Sequence, residues 1–99
     1  MLSITKTLGN GKAVLALEGR LDTLTAPDLE KTVKDILPGL TDLTLDLAGT
    51  EYISSAGLRV LLSAQKAMNA QGRMVIRNVN ETIAEIFEVT GFSDILTIE

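Results

Sequence analysis

The sequence lacks cysteine, histidine and tryptophan, and its aromatic residues are one tyrosine and two phenylalanines in a chain of 99. Without cysteine or histidine there is no disulfide, and no thiolate or imidazole to serve as nucleophile, general base or zinc ligand. So few aromatic side chains cannot form a platform on which bases stack. These absences argue against most hydrolytic and redox enzymes, and we expect neither a cofactor nor a bound metal.

Basic residues are also scarce, with 9 against 13 acidic residues and a net charge of −4. Nucleic-acid binding needs a basic surface that neutralises phosphates, so we expect no direct contact with nucleic acid. An acidic surface also disfavours anionic membranes. No window is apolar for the length of a membrane span, and the N-terminus lacks the pattern of a signal peptide. The sequence therefore predicts a soluble cytoplasmic protein.

Apolar residues are plentiful, at 45% of the chain, and they are mostly leucine, isoleucine, valine and alanine. A chain of this length has room for one hydrophobic core, so we expect a single domain over residues 1–99.

Alternation of apolar and polar residues predicts an opening β-hairpin, with strands at 2–7 and 13–17 joined by the turn at 9–11. A helix is predicted next, with Thr25 as its N-cap, Pro27 in its first turn and Asp28 at the capping-box position. Pro38 and Gly39 follow it. The later elements predicted from periodicity are a strand at 43–47, a helix at 56–71 ended by Gly72, a strand at 74–77, a helix at 81–89 and a strand at 95–98.

Strands alternate with helices after the hairpin, an order typical of parallel strands joined by crossovers. We therefore predict an α/β domain with a mixed, mostly parallel sheet. The strand at 43–47 has one strongly apolar face and one mixed face, whereas a strand covered on both faces is apolar throughout.

Two adjacent serines, Ser54 and Ser55, stand where the 43–47 strand region runs into the longest helix. A helix N-terminus carries free N–H groups and partial positive charge, so a phosphate on either hydroxyl would be stabilised there. Such a phosphate could abolish a protein contact without damaging the fold. Plain capping of the helix is the simpler alternative from position alone. Catalysis is disfavoured, because there is no histidine base and no GxSxG pattern.

Two other patterns are weaker. Asp22, Asp46 and Glu51 fall near predicted loop ends and could hold a magnesium ion, but solvated carboxylates explain them better because no phosphate-binding loop accompanies them. The segment GNGK at residues 9–12 looks superficially like a phosphate loop, yet a hairpin turn accounts for it.

The segment LDLAGTEYISSAGLRVLL, residues 45–62, resembles the signature of STAS domains, and most closely that of the free-standing bacterial anti-sigma factor antagonists. GRLDTLTAPDLE, residues 19–30, and IFEVTGFSDIL, residues 86–96, agree with the same family. The resemblance implies a STAS fold with its helices packed mainly on one face of the sheet, and a binding protein without catalysis.

In that family a serine of the motif is phosphorylated by a partner that is both a serine kinase and the anti-sigma factor. Counted back from Gly57, the acceptor position falls on Ser55, and Ser54 stands where the family usually has aspartate, which leaves Ser54 as a competing acceptor. By resemblance, a serine phosphatase would restore the binding form, and the unphosphorylated form would bind the anti-sigma kinase and free a sigma factor. The residues implied in partner binding are Asp22, Thr23, Ser54, Ser55, Ala56 and Gly57.

Two alternatives stay open. One is a STAS subunit that does not switch, as part of a lipid-transport or stress-signalling assembly; the other is a weak nucleotide-binding protein. A homodimer contact through the apolar surface beside the helix that follows the serines is also left open.

Overall fold

The computed structural model of the protein describes residues 2–99, and in it a β-hairpin is followed by alternating helices and strands. The α-helices and strands are β1 (Leu2–Gly9), β2 (Lys12–Leu21), α1 (Ala26–Ile36), β3 (Asp42–Ile53), α2 (Ser55–Gln71), β4 (Arg73–Arg77) and α3 (Glu81–Thr90). A short 3₁₀ helix, Phe92–Asp94, follows α3. Among residues 2–99, no helix combines the length and the apolar character needed to cross a membrane.

The four strands form one sheet in the order β1-β2-β3-β4. β1 and β2 pair antiparallel through the turn at Asn10 and Gly11, both of which have positive φ. β2 and β4 each pair parallel with β3. The predicted mixed, mostly parallel sheet with an opening hairpin is confirmed, and GNGK forms a hairpin turn.

One face of this sheet carries the hydrophobic core. The alternating residues Leu43, Leu45 and Leu47 of β3 are each at most 1% exposed, as the period of a half-covered strand requires. Side chains from all three α-helices join them in one cluster. Those helical residues include Leu29, Val33, Leu61, Met68, Ile83 and Phe87. On the opposite face, Thr44 and Asp46 are half-buried, so the helices lie on a single face as expected.

β3 is longer than the predicted strand and continues past Gly49 to Ile53. Two irregularities in its register with β2 accommodate this extension, one near Glu18 and one near Arg20. Thr50 is buried here, and its hydroxyl donates a hydrogen bond of 3.0 Å to the carbonyl oxygen of Leu17. The extension places the end of β3 directly against the end of β2.

The predicted strand at 95–98 is wrong as a regular element. After Gly91, which has a φ of 80°, the chain turns through the 3₁₀ helix, and Ile98 makes a single parallel bridge with Ile76. Leu96 is buried, whereas Ile95 is exposed. The apolar pattern at residues 95–98 therefore reflects the burial of Leu96 and one bridge at Ile98, and not a regular strand.

Gly72 ends α2, as predicted, but for a different reason from the one that usually selects glycine. Its φ of 170° is extended backbone that any residue can adopt. A Cβ at this position would instead collide with the carbonyl group of Thr41. Arg73 then donates its N–H to the carbonyl oxygen of Thr41 at 2.9 Å, and β4 begins. Close approach of two backbones, rather than a left-handed turn, requires this glycine.

Candidate functional site

The two adjacent serines have different surroundings. Ser54 is the N-cap of α2 and is half-buried, and its Oγ accepts a hydrogen bond of 3.3 Å from the N–H of Gly57. Ser55 is the first residue of the helix and is exposed. Among the hydrogen bonds of residues 2–99, none involves the Ser55 hydroxyl or the N–H groups of Ser55 and Ala56. Capping thus belongs to Ser54, and Ser55 keeps a free hydroxyl.

The start of α2 is fixed against the end of β2. The N–H of Ser54 donates to the carbonyl oxygen of Leu21 at 2.8 Å. Gly57 is buried, and a Cβ there would lie 2.7 Å from Cγ of Leu21 and 2.9 Å from its carbonyl oxygen. Gly57 therefore allows α2 to approach the sheet, whereas Ser55 is exposed and the half-buried Ala56 packs against the edge of the core.

The β2–α1 loop, residues 22–25, lies next to this helix start and is ordered by Asp22. The Oδ1 atom of Asp22 accepts hydrogen bonds from the N–H of Leu24 at 3.0 Å and from the N–H of Thr25 at 3.1 Å. The Arg20 guanidinium lies 3.9 Å from the same carboxylate. Burial raises the pKa of Asp22, but these hydrogen bonds, one from the Thr25 hydroxyl, and the charge of Arg20 together hold the pKa below its ordinary value of 3.8.

Thr25 is at the predicted N-cap position of α1, but its side chain does not cap the helix. Its hydroxyl donates to the carbonyl oxygen of Arg20 at 2.7 Å and accepts from the N–H of Asp22 at 2.9 Å. Asp28 donates its backbone N–H to the carbonyl oxygen of Thr25, and no side-chain capping box forms. The predicted N-cap position of Thr25 is confirmed, but the side-chain capping hydrogen bond is not formed, because the buried hydroxyl bonds within the loop instead.

This braced loop displays an apolar side chain. Leu24 is 86% exposed, the most exposed large hydrophobic residue among residues 2–99. Its N–H is tied to Asp22, while its side chain contributes nothing to the core cluster. Leu24 therefore adds exposed apolar area to the surface of this ordered loop.

A shallow cavity of about 210 Å³ joins the loop to α2. Thr23 lines it from the loop, Glu30 from α1, and Ala56 and Arg59 from α2. The cavity brings Thr23 and Ala56 together, and the hydrogen bond from the Ser54 N–H to the Leu21 carbonyl places the start of α2 beside the start of this loop. We call this surface, made by residues 22–25, 54–56 and 59, the acceptor surface.

The carboxylates considered for a magnesium ion are not gathered. No group of three or more acidic residues that could hold a metal ion occurs among residues 2–99. Asp46 lies within β3 and accepts hydrogen bonds from Asn78 and from the N–H of Ala48, each at 3.0 Å. These bonds, together with the Arg77 guanidinium at 3.8 Å, lower the pKa of Asp46 despite a partial burial of its carboxylate. Asp46 thus ties β3 to the C-terminal end of β4.

Sequence reasoning missed Leu24 and Arg59 as parts of this surface. Leu24 falls outside every helical or strand period, between two threonines, and that isolation is the signal that could have found it. Arg59 is the only charged residue in the segment 52–65, where apolar and small residues dominate, and it stands four positions after Ser55. Both residues are exposed in the structure.

Comparison with known sequences shows the family to which the chain belongs. A family model described as "Mlab, STAS domain" matches residues 4–97. The chain is 32% identical to BtrV of Bordetella bronchiseptica, a candidate anti-sigma factor antagonist, over 98% of this chain and 85% of the relative. It is also 32% identical to an anti-sigma-B factor antagonist of Staphylococcus epidermidis, over 81% of this chain and 76% of that protein.

Solved structures show the same fold at lower sequence identity. An anti-sigma factor antagonist from Mycobacterium paratuberculosis superposes with a TM-score of 0.89 at 19% identity, over 99% of this chain and 85% of that one. The Bacillus cell fate determinant SpoIIAA in its phosphorylated form superposes with a TM-score of 0.76 at 16% identity, over 98% of this chain and 91% of that one.

Proposed function

The chain belongs to the STAS domain family of anti-sigma factor antagonists, which are binding proteins without catalysis, and from this premise we propose that phosphorylation of Ser55 gates its binding to an anti-sigma factor. In the proposed cycle, the unphosphorylated chain binds an anti-sigma factor that has serine kinase activity, and a sigma factor is freed. The kinase then modifies Ser55, and a serine phosphatase restores the binding form.

The observation that carries this proposal is the division of roles between the two serines. Ser54 occupies the cap, so modification of Ser55 leaves the capping hydrogen bond to Gly57 in place. The first turn of α2 contains no acidic residue that would repel a phosphate. The unpaired N–H groups at this helix start favour an added anion. The fold should therefore tolerate the phosphorylated side chain.

A phosphate at Ser55 would change what the acceptor surface can bind. It adds a charge of about −1.5 to −2 at neutral pH. A partner that buries Leu24 and the cavity beside Thr23 would bring that charge into a partly dehydrated contact. Setting it against an acidic or apolar partner surface costs enough to weaken binding by tenfold or more, since about 1.4 kcal/mol corresponds to a factor of ten.

The direct test is phosphorylation of the purified chain by its cognate kinase with ATP, followed by mass spectrometry of the wild type and of Ser55→Ala and Ser54→Ala. We expect one phosphate on the wild type and on Ser54→Ala, and none on Ser55→Ala. A phosphate retained by Ser55→Ala and lost by Ser54→Ala would assign the acceptor to Ser54 and contradict the proposal.

The binding consequence is tested with Ser55→Asp in a pull-down from native extract. We expect the anti-sigma partner to be lost or weakened about tenfold, with the melting temperature within a few degrees of the wild type because an exposed residue is changed. Equal recovery of the same partner by both proteins would argue against a switch.

A second candidate function is a STAS subunit that holds its assembly together without switching. One observation favours it: Ser54 stands where the family motif usually has aspartate. Such a subunit would bind its partner through the same acceptor surface, but no kinase in the native extract would label it. Absence of phosphate on chain purified from its own cells under several growth conditions would favour this candidate.

A further inference from the structure

We propose that Arg59 is the internal counter-ion of a phosphate on Ser55, and that the modified side chain is held on the surface of α2 instead of being left free in solvent. This inference rests on the proposed phosphorylation of Ser55 and deepens it. The proposed interaction is an ion pair between the phosphate and the Arg59 guanidinium, across one turn of the helix.

The spacing brings the two side chains together. Ser55 and Arg59 are four residues apart in α2, and both are exposed. On an α-helix, residues at this spacing lie on the same face with their Cβ atoms about 5–6 Å apart. Arginine has the length and the forked donors needed to reach a phosphate over that distance and to bind two of its oxygens.

Arg59 is also free to do so. The three other arginines, Arg20, Arg73 and Arg77, each lie within 4 Å of a carboxylate. Within residues 2–99, Arg59 makes no such pair. Glu30 shares a cavity with it but lies 3.7 Å from the ammonium group of Lys34. A guanidinium without a carboxylate partner therefore stands beside the proposed acceptor.

Arg20 and Lys66 are less suited than Arg59 to this pairing. Arg20 is engaged twice, by the carboxylate of Asp22 and by the ring of Tyr52, whose centroid lies 4.6 Å from the guanidinium carbon. Lys66 lies on the same face of α2, but eleven residues from Ser55, which corresponds to about 16 Å along the axis. That distance exceeds the Debye length of about 8 Å at physiological salt.

The pairing would give phosphorylation two effects on the acceptor surface. It would add the negative charge of the phosphate, and it would remove the one unpaired arginine from that surface. A carboxylate of the partner that used Arg59 in the unphosphorylated complex would lose its cation and meet a phosphate in the same place. The net change in charge is that of the phosphate, but the partner also loses the guanidinium as a hydrogen-bond donor.

The test uses the full chain with phosphoserine encoded at position 55 during translation, so it does not depend on any kinase. The second pKa of the phosphate, ordinarily about 6, is measured by ³¹P NMR in the wild-type background and in Arg59→Gln, Arg59→Lys and Lys66→Gln. A nearby cation favours the doubly charged form, so we expect Arg59→Gln to raise this pKa by about half a unit. Arg59→Lys should retain part of the effect, and Lys66→Gln should leave the pKa within about 0.1 unit because the charge is distant.

An unchanged phosphate pKa in Arg59→Gln would overturn the assignment, and so would an equal rise in Lys66→Gln, which would reflect net charge alone. These failures differ from failure of the proposed function. If the kinase does not modify Ser55, the switch is refuted whatever the NMR titration gives, whereas an unaltered pKa removes Arg59 and leaves the switch intact.

Discussion

The starts of α1 and α2 lie side by side at the ends of two neighbouring parallel strands, yet they are built differently. Before α1, the side chains of Asp22 and Thr25 are both hydrogen-bonded to backbone groups of the loop and of the end of β2. At α2, Ser54 makes one capping bond and Ser55 makes none. Similar positions in the fold thus hold a closed hydrogen-bond network in one case and, within residues 2–99, an exposed hydroxyl without a partner in the other.

The largest expected effect comes from separating α2 from the support beneath it. Gly57→Ala places a Cβ 2.7 Å from Cγ of Leu21 and 2.9 Å from a backbone oxygen, so the helix start must shift. We expect a loss of about 2–3 kcal/mol in the free energy of unfolding by urea denaturation. Gly9→Ala is the matched control, because nothing lies within 4 Å of a Cβ there. Equal stability of the two variants would contradict the tight packing at Gly57.

The support at α1 is broken by Thr25→Val, which keeps the shape of a buried side chain and removes its hydroxyl. The variant loses the hydrogen bonds to the carbonyl of Arg20 and from the N–H of Asp22, and the longer contact of 3.2 Å to the Asp22 carboxylate. We expect the variant to lose about 1–3 kcal/mol of unfolding free energy. Thr23→Val, at an exposed position of the same loop, should change stability by less than about 0.5 kcal/mol. A Thr25→Val protein as stable as the wild type would show that the loop is not held by this hydroxyl.

The two serines give the clearest contrast within one helix start. Ser54→Ala removes the cap and should cost about 1 kcal/mol, because one N–H of the first turn loses its acceptor. Ser55→Ala should change stability by no more than about 0.5 kcal/mol, since its hydroxyl has no partner within residues 2–99. Thermal and urea unfolding of both variants measure the difference. The reverse order would mean that Ser55 is the structural residue.

The smallest expected effect is the pH dependence contributed by Asp22. Its folded pKa is lowered from 3.8, so the folded chain binds fewer protons than the unfolded chain in this range. The associated stability is fully present above about pH 5 and is lost as the pH falls through the folded value. Asp22→Asn should therefore lose less stability than the wild type between pH 5 and pH 3. Parallel curves for the two proteins would show that the loop does not depend on this charge.

Much of the fold could be predicted because the apolar residues of the sequence alternate, or recur at helical spacing, over most elements. The hairpin, the strand through Leu45 and the long helix ended by Gly72 were each predicted from alternation or helical spacing and were confirmed. The extension of β3 to Ile53 was not, because it depends on register shifts against β2 that no local pattern reports. The strand at 95–98 failed for the same reason, since pairing is decided by where the preceding turn leaves the chain.

The candidate site was only partly accessible to sequence reasoning. The pattern predicted a helix start with two serines, but the distinction between Ser54 and Ser55 depends on which side chain turns back to the N–H of Gly57. Thr25 is a residue type that often caps helices, but its hydroxyl bonds to the carbonyl oxygen of Arg20 near the end of β2. The exposure of Leu24 could not be predicted, because it depends on how the loop folds and not on the local sequence pattern. Residue type predicted the helix start with its two serines, and geometry distinguished the surroundings of the two side chains.

The hydrogen bond from the Ser54 N–H to the carbonyl of Leu21 has a kinetic consequence. Because this bond anchors the start of α2 to the sheet, a partner docking on the proposed acceptor surface would cause little loss of conformational entropy. Encounter rates with a partner should then be governed by diffusion and by long-range charge, and they should respond to ionic strength more than to temperature-dependent loop closure. Adding or removing a phosphate on an ordered surface would therefore change the fraction of encounters that lead to binding, and so the association rate constant.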